Sequence, residues 1–119
     1  MVVPFETLVG ETLVDVRQEE DRVVFETPRF LYVLYHQQYC CESVYLEDVD
    51  GCLSDLIGEV VVVAEELVSD GRELPDYGNL DYTWTFYRIR THKATVTLRW
   101  YGSSNGYYSE SVDFEKLPL

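Results

Sequence analysis

Thr83-Trp84-Thr85-Phe86-Tyr87 and Ala94-Thr95-Val96-Thr97-Leu98-Arg99-Trp100-Tyr101, joined by a turn through Thr91-His92-Lys93, decide how this chain is read. Large apolar side chains recur at every second position of the second run, and Trp84 and Phe86 alternate with threonines in the first. That is the period of a half-buried β-strand, and β-branched and aromatic residues favour the same conformation. The two runs therefore form an antiparallel hairpin. Its alternation is expected to put Trp84, Phe86, Val96, Leu98 and Trp100 on one side, in a core shared with Val61 and Val63.

The same period appears upstream. Thr12 to Gln18 and Arg22 to Thr27 flank the polar turn Glu19-Glu20-Asp21, which is a second hairpin. Pro28 interrupts the pattern, and Phe30 to Gln37 adds a third strand to this meander. Between Val44 and Gly58 the alternation loosens. Asp50-Gly51 marks a turn there, and Leu53-Ser54-Asp55-Leu56-Ile57 suits one helical turn closed by Gly58. The apolar run Val60 to Val63 reads as a buried, central strand. Ser69 to Asp81 carries Gly71, Pro75, Gly78 and several acids, and reads as an exposed loop. A turn at Gly102-Ser103-Ser104-Asn105-Gly106 leads into a last strand from Tyr107 to Phe114. The fold class expected is mainly β (α+β): a single antiparallel, strongly curled sheet or small barrel-like roll of six to seven strands with one short helix. One domain spans residues 1–119.

Charge narrows the function. The chain holds 22 acidic and 9 basic side chains, a formal net charge of -13, which disfavours any role that needs phosphates neutralised over a broad surface. Direct nucleic-acid binding is not expected. The charge is also segregated: Phe30 to Gly71 contains nine acids without a Lys or Arg, whereas Tyr82 to Ser109 contains Arg88, Arg90, Lys93 and Arg99 without an acid. Glu42, Glu47, Asp48, Asp50 and Asp55 lie near turns and are the candidate residues of a negatively charged partner-binding face. The alternative is that the basic hairpin lies against the acidic half and neutralises it.

Catalytic and metal chemistry find little support in the residues. His36, Cys40 and Cys41 lack the spacing and further ligands of a zinc site, so no metal is expected there. Aligning Gly51 with the glycine of an EF-hand loop puts Leu46 and Ile57 where carboxylates belong. No phosphate-binding loop, dinucleotide fingerprint or nucleophile elbow occurs, so neither a cofactor nor an enzyme activity is expected. Three cysteines do not build a disulfide framework, and neither a leader nor a membrane span is recognisable, so the expected compartment is the cytoplasm and no membrane is involved. Ten tyrosines and 14% aromatics remain to be explained. If strand alternation holds, about half of those on the last strands face away from the core, as recognition surfaces do.

Specific wording runs through the chain: His36-Gln37-Gln38-Tyr39-Cys40-Cys41-Glu42-Ser43-Val44-Tyr45, Leu53-Ser54-Asp55-Leu56-Ile57-Gly58, Thr83-Trp84-Thr85-Phe86-Tyr87, and Arg99-Trp100-Tyr101-Gly102 followed by Ser104-Asn105-Gly106-Tyr107-Tyr108-Ser109-Glu110-Ser111-Val112. It resembles a family of short uncharacterised proteins carried by bacteriophages. The resemblance implies a small acidic protein at work in the cytoplasm of a bacterial host, where such proteins often bind and disable a host or defence protein. Two readings follow. In the first, a non-enzymatic binding protein presents its acidic, nucleic-acid-like face to a host protein with a basic surface. In the second, Arg88, Arg90, Arg99, Tyr101 and Tyr107 form a pocket for a small molecule or nucleotide.

Overall fold

A computed structural model describes residues 1–38, 42–70, 81–104 and 111–119. Among them are eight strands: β1 (Asp15–Glu19), β2 (Arg22–Glu26), β3 (Phe30–Tyr35), β4 (Ser43–Asp50), β5 (Val63–Asp70), β6 (Asp81–Arg90), β7 (Thr95–Ser104) and β8 (Asp113–Pro118). They form two antiparallel sheets of four strands each, in the orders β1-β2-β3-β8 and β4-β7-β6-β5. The mainly β class stands, and the single curled sheet is corrected to two. The N-terminal meander appears as expected, with β8 completing its sheet and β4 to β7 forming the second. Local alternation specifies each strand but says nothing about which strands share a ladder, so the division into sheets was not readable from it.

A single apolar cluster joins the sheets. Val16, Val23, Phe25, Tyr32, Leu34 and Phe114 from the first meet Val44, Ala64, Tyr87, Ile89, Val96, Leu98 and Trp100 from the second. Phe5 stands between them, its ring 4.8 Å from that of Tyr87 and 5.0 Å from that of Phe114. It is carried by a 3-10 helix, Phe5–Leu8, that the alternation pattern did not announce. The second 3-10 helix, Leu53–Leu56, is the short helix expected before Gly58. Among the described residues no helix is long and apolar enough to cross a membrane.

The hairpin of β6 and β7 keeps its strands and loses its expected face. Thr91 closes the loop: its backbone N–H donates to Ala94 O at 2.9 Å, and its hydroxyl accepts from the N–H groups of Lys93 and Ala94, each at 3.2 Å. This four-residue connection pairs Arg90 with Thr95, and hence Trp84 with Tyr101 and Thr85 with Trp100. Residues directly paired across an antiparallel ladder share a face. Val96, Leu98 and Trp100 are therefore buried beside Thr85, Tyr87 and Ile89, while Trp84 and Phe86 point outward and are half-buried. The expectation of Trp84 and Phe86 in the core is corrected by one residue of register.

Two further expectations are corrected in the same way. Val60 to Val63 is not a central strand. Val61 is buried, Val60 and Val62 are exposed, and the segment pairs with residues 10–13 through Gly58 N→Leu13 O at 2.7 Å and Val61 N→Glu11 O at 3.0 Å. Strand β5 begins only at Val63 and occupies an edge of its sheet. In the loosened region, β4 is a full strand whose alternation is broken by a β-bulge between Leu46 and Asp48. The extra residue shifts the phase, which is why a strict period-2 reading failed there. Most of the loop expected over Ser69 to Asp81, and the first half of the last strand expected from Tyr107 to Phe114, lie outside the described residues; β8 begins at Asp113.

Candidate interaction surface

The outward face of the second sheet is a grid set by its register. Tyr45, Tyr101, Trp84 and Ser69 lie side by side across β4, β7, β6 and β5. The next row is Asp48, Arg99, Phe86 and Leu67, and the one after it Asp50, Thr97, Arg88 and Glu65. One half of the face is thus aromatic and apolar, the other charged. Tyr101 is the centre of the aromatic half, with ring centroids 4.9 Å from Trp84, 5.7 Å from Tyr45 and 6.4 Å from Tyr82. The Arg99 guanidinium lies over Trp84 at 5.4 Å, in reach of the ring quadrupole. Tyr45 is 43% and Leu67 59% exposed. Large apolar side chains gathered on a solvent face, instead of scattered singly, mark contact surfaces.

Acids border this face along β4. Glu47, at the bulge, accepts a hydrogen bond from Arg99 Nε at 2.6 Å, and Asp48 lies 4.0 Å from Arg99 Nη2. The hydrogen bond to Glu47 and the charges of both acids raise the pKa of Arg99 above its ordinary value. Asp50 and Asp55 are exposed, the first at the end of β4 and the second on the 3-10 helix that follows Gly51. The backbone needs glycine at that turn, because Gly51 has φ 108 and a Cβ there would stand 2.9 Å from Thr95 O. Four of the five expected acids, Glu47, Asp48, Asp50 and Asp55, are thus on the surface.

Glu42 is elsewhere. It is buried where the chain passes from the first sheet to the second, with Oε2 3.3 Å from His36 Nε2 and Oε1 accepting from Gln38 Nε2 at 3.0 Å. His36 Nδ1 donates to the Ser111 carbonyl at 2.7 Å, which ties the crossover to the approach to β8. An exposed carboxylate at 42 was the expectation, and the buried His36 contact is the reason it fails.

The residues of the alternative pocket divide. Arg88 forms a close ion pair with Glu65 across the β5-β6 ladder, Arg99 is held by Glu47, and Arg90 is exposed two pairs further along, opposite Val63. Tyr101 is in the aromatic row, and Tyr107 lies outside the described residues. The hollow between Ser69, Trp84, Phe86 and Arg99 holds about 170 Å³. That is below the roughly 300–1,000 Å³ of small-molecule sites. Among the described residues no three His, Cys, Asp or Glu side chains converge as metal ligands. Cys40 and Cys41 lie outside them, and Cys52 is exposed with Sγ 2.9 Å from Ser54 Oγ.

A family model, described as a domain of unknown function, matches residues 6–114. The chain belongs to the DUF7448 family. No curated protein and no solved structure matches it. The family span takes in all of β1 to β7 and the start of β8, so the whole grid described above lies inside the DUF7448 domain. Tyr45 and Leu67 are members of the grid that alternation alone overlooked. The run Ser43-Val44-Tyr45-Leu46, with Val44 and Leu46 turned inward, carried the signal for Tyr45.

Proposed function

We propose that this DUF7448 domain is a non-enzymatic protein-binding module, and that the outward face of its β4-β7-β6-β5 sheet is the recognition surface. The observation that carries the reading is the row Tyr45-Tyr101-Trp84 on the solvent side of a sheet whose other side is already packed. Aromatic side chains on a rigid sheet supply contact area with little entropy left to lose, and a rim of charge selects the partner. The rim here is Glu47, Asp48 and Asp50 with Asp55 nearby, so the partner presents a basic surface. With the resemblance to phage-carried proteins, that partner is a host or defence protein in the bacterial cytoplasm. Pairing of Glu47 with Arg99 makes this a mixed face instead of an uninterrupted nucleic-acid-like one.

The test uses purified protein and bacterial lysate, with three proteins compared: the parent, Tyr45→Ala/Tyr101→Ala, and Asp48→Lys/Asp50→Lys/Asp55→Lys. A host protein captured in stoichiometric amount by the parent and lost from both folded variants supports the reading. Capture undiminished in both moves the interface off this face. A small anion that copurifies and is released by Arg90→Ala would instead favour the pocket reading, against which the paired Arg88 and Arg99 and the shallow hollow count.

A further inference from the structure

We propose that β5 is a self-association edge, at which two copies of this chain pair antiparallel about a two-fold axis through Leu67 and join their second sheets into one. An edge strand carries a row of unpaired N–H and C=O groups, and folds blunt such edges with charge, bulges or a covering segment. Two sheets give four edges, and three of them are blunted. Met1 to Val3 covers β8, through Val3 N→Phe114 O at 3.0 Å and Lys116 N→Met1 O at 2.8 Å. Strand β4 has its bulge and Glu47, and β1 carries Arg17 in ion pairs with Asp15 and Glu19. The fourth edge differs. Strand β5 pairs with β6 from Val63 to Asp70 without a register shift, and among the described residues no backbone of another segment pairs with its other side. Glu65 and Glu66 lie in its first half, and Leu67-Val68-Ser69 follows uncharged. Leu67 is 59% exposed on the outward face and Val68 61% exposed on the inner one, so the edge is apolar on both sides.

The strand's own residues select a second copy as the occupant. Successive residues of a strand turn their N–H and C=O groups to alternate edges, so only every second residue of β5 bonds outward. Two identical antiparallel strands therefore match like parity with like, and a residue lies on the two-fold axis. An axis at Glu65 or Glu66 sets that carboxylate directly opposite its own copy, and like charges so placed destabilise a ladder. An axis at Val68 or beyond pairs at most Glu66 to Asp70. An axis at Leu67 pairs Ala64 to Asp70, sets Glu65 opposite Ser69 and Glu66 opposite Val68, and brings the two leucines together. That register is long and places no acid opposite another. Glu66 and its copy remain diagonal neighbours and each chain carries a net charge of -13, so the dimer forms better in salt that screens them. The axis stands perpendicular to the sheet, which leaves both outward grids on one side of the joined sheet. The pairing does not depend on what that face binds.

The test is sedimentation equilibrium of the full chain from about 1 μM to about 1 mM, the range of weak to moderate association. The buffer holds about 0.15 M salt, where the Debye length is about 8 Å. The mass is expected to rise with concentration towards twice the 13.9 kDa of one chain. Leu67→Lys removes the leucine contact and sets two ammonium groups across the axis, so it should weaken the dimer about tenfold or more. Val60→Lys makes the same change of charge at another exposed aliphatic position and should leave the dimer within about twofold. A crosslink fixes the register. Residues paired across an antiparallel ladder stand about 4.5–5.5 Å apart at Cα, inside disulfide reach. Under mild oxidation Leu67→Cys should form a bond between the two introduced thiols, identified by peptide mass, whereas Val68→Cys, facing Glu66 of the other copy, should not. A parent chain that stays monomeric over the whole range overturns the proposal and leaves the edge to a strand of another protein. Equal weakening by both lysine variants, or preferential crosslinking through Val68→Cys, puts the contact elsewhere or in another register and overturns it as well.

Discussion

Replacing each of the two tryptophans by alanine separates the register of the β6-β7 hairpin from its alternative. Trp100 is 1% exposed, so truncation removes a buried aromatic of roughly 200–250 Å². At about 25 cal/mol per Å² this is worth about 5–6 kcal/mol, and the compactness of unfolded chains reduces it by roughly 10–40%. A loss of about 3–5 kcal/mol is expected for Trp100→Ala, in line with aromatic truncations elsewhere. At about 4 °C per kcal/mol for a chain of this size, Tm falls by about 12–20 °C. Trp84 is half-buried and touches Tyr101 and Arg99 on the solvent side, so Trp84→Ala should cost about 1–1.5 kcal/mol and about 4–6 °C. Urea unfolding followed by circular dichroism measures both. Because the chain has two tryptophans, single-tryptophan proteins add a second readout. Trp84→Phe should leave a blue-shifted, poorly quenched emitter, and Trp100→Phe a quenchable one. Equal losses for the two alanine variants, or equal quenching, would place both side chains on one face and refute the register.

Other outcomes follow from particular contacts. Gly51→Ala should cost about 1–3 kcal/mol in thermal melts, because φ 108 is strained for alanine and its Cβ meets Thr95 O. Glu19 accepts from Arg17 Nε at 2.7 Å and from Arg22 Nη2 at 2.9 Å, bonds that hold its pKa below the ordinary value. Its stabilising contribution is therefore present above the ordinary carboxylate range and lost as pH falls through the folded value. An NMR titration should show the Glu19 midpoint rising in Arg17→Met. Tyr32 is pushed up to about 12, by burial first and then by the Glu11 carboxylate that accepts its hydroxyl proton at 3.3 Å. With the folded pKa raised, its contribution is complete below about pH 10, the ordinary tyrosine value, and is lost as pH rises towards 12. Ultraviolet titration should show one late-ionising tyrosine moving earlier in Glu11→Gln.

What the amino-acid order determined by itself is local. Period-2 runs specified the strands of the N-terminal meander and of the Trp84 and Trp100 hairpin, and Leu53 to Gly58 announced its helical turn, because alternation, β-branching and glycine act within a few residues. The aromatic surplus on the last strands already implied that, with strict alternation, about half of those side chains turn away from the core. What required the tertiary structure is relational. The Thr91 loop fixed which face Trp84 shares, the Leu46/Asp48 bulge hid β4 from a strict alternation, and the pairing of Val61 with residues 10–13 kept it from a central strand. The fate of charge was also decided at long range. Glu47 meets Arg99, 52 residues away in sequence, while Glu42 is drawn into the interior by His36. Local propensity is a short-range energy, whereas register, sheet membership and ion pairing depend on which distant segments the shared core brings together.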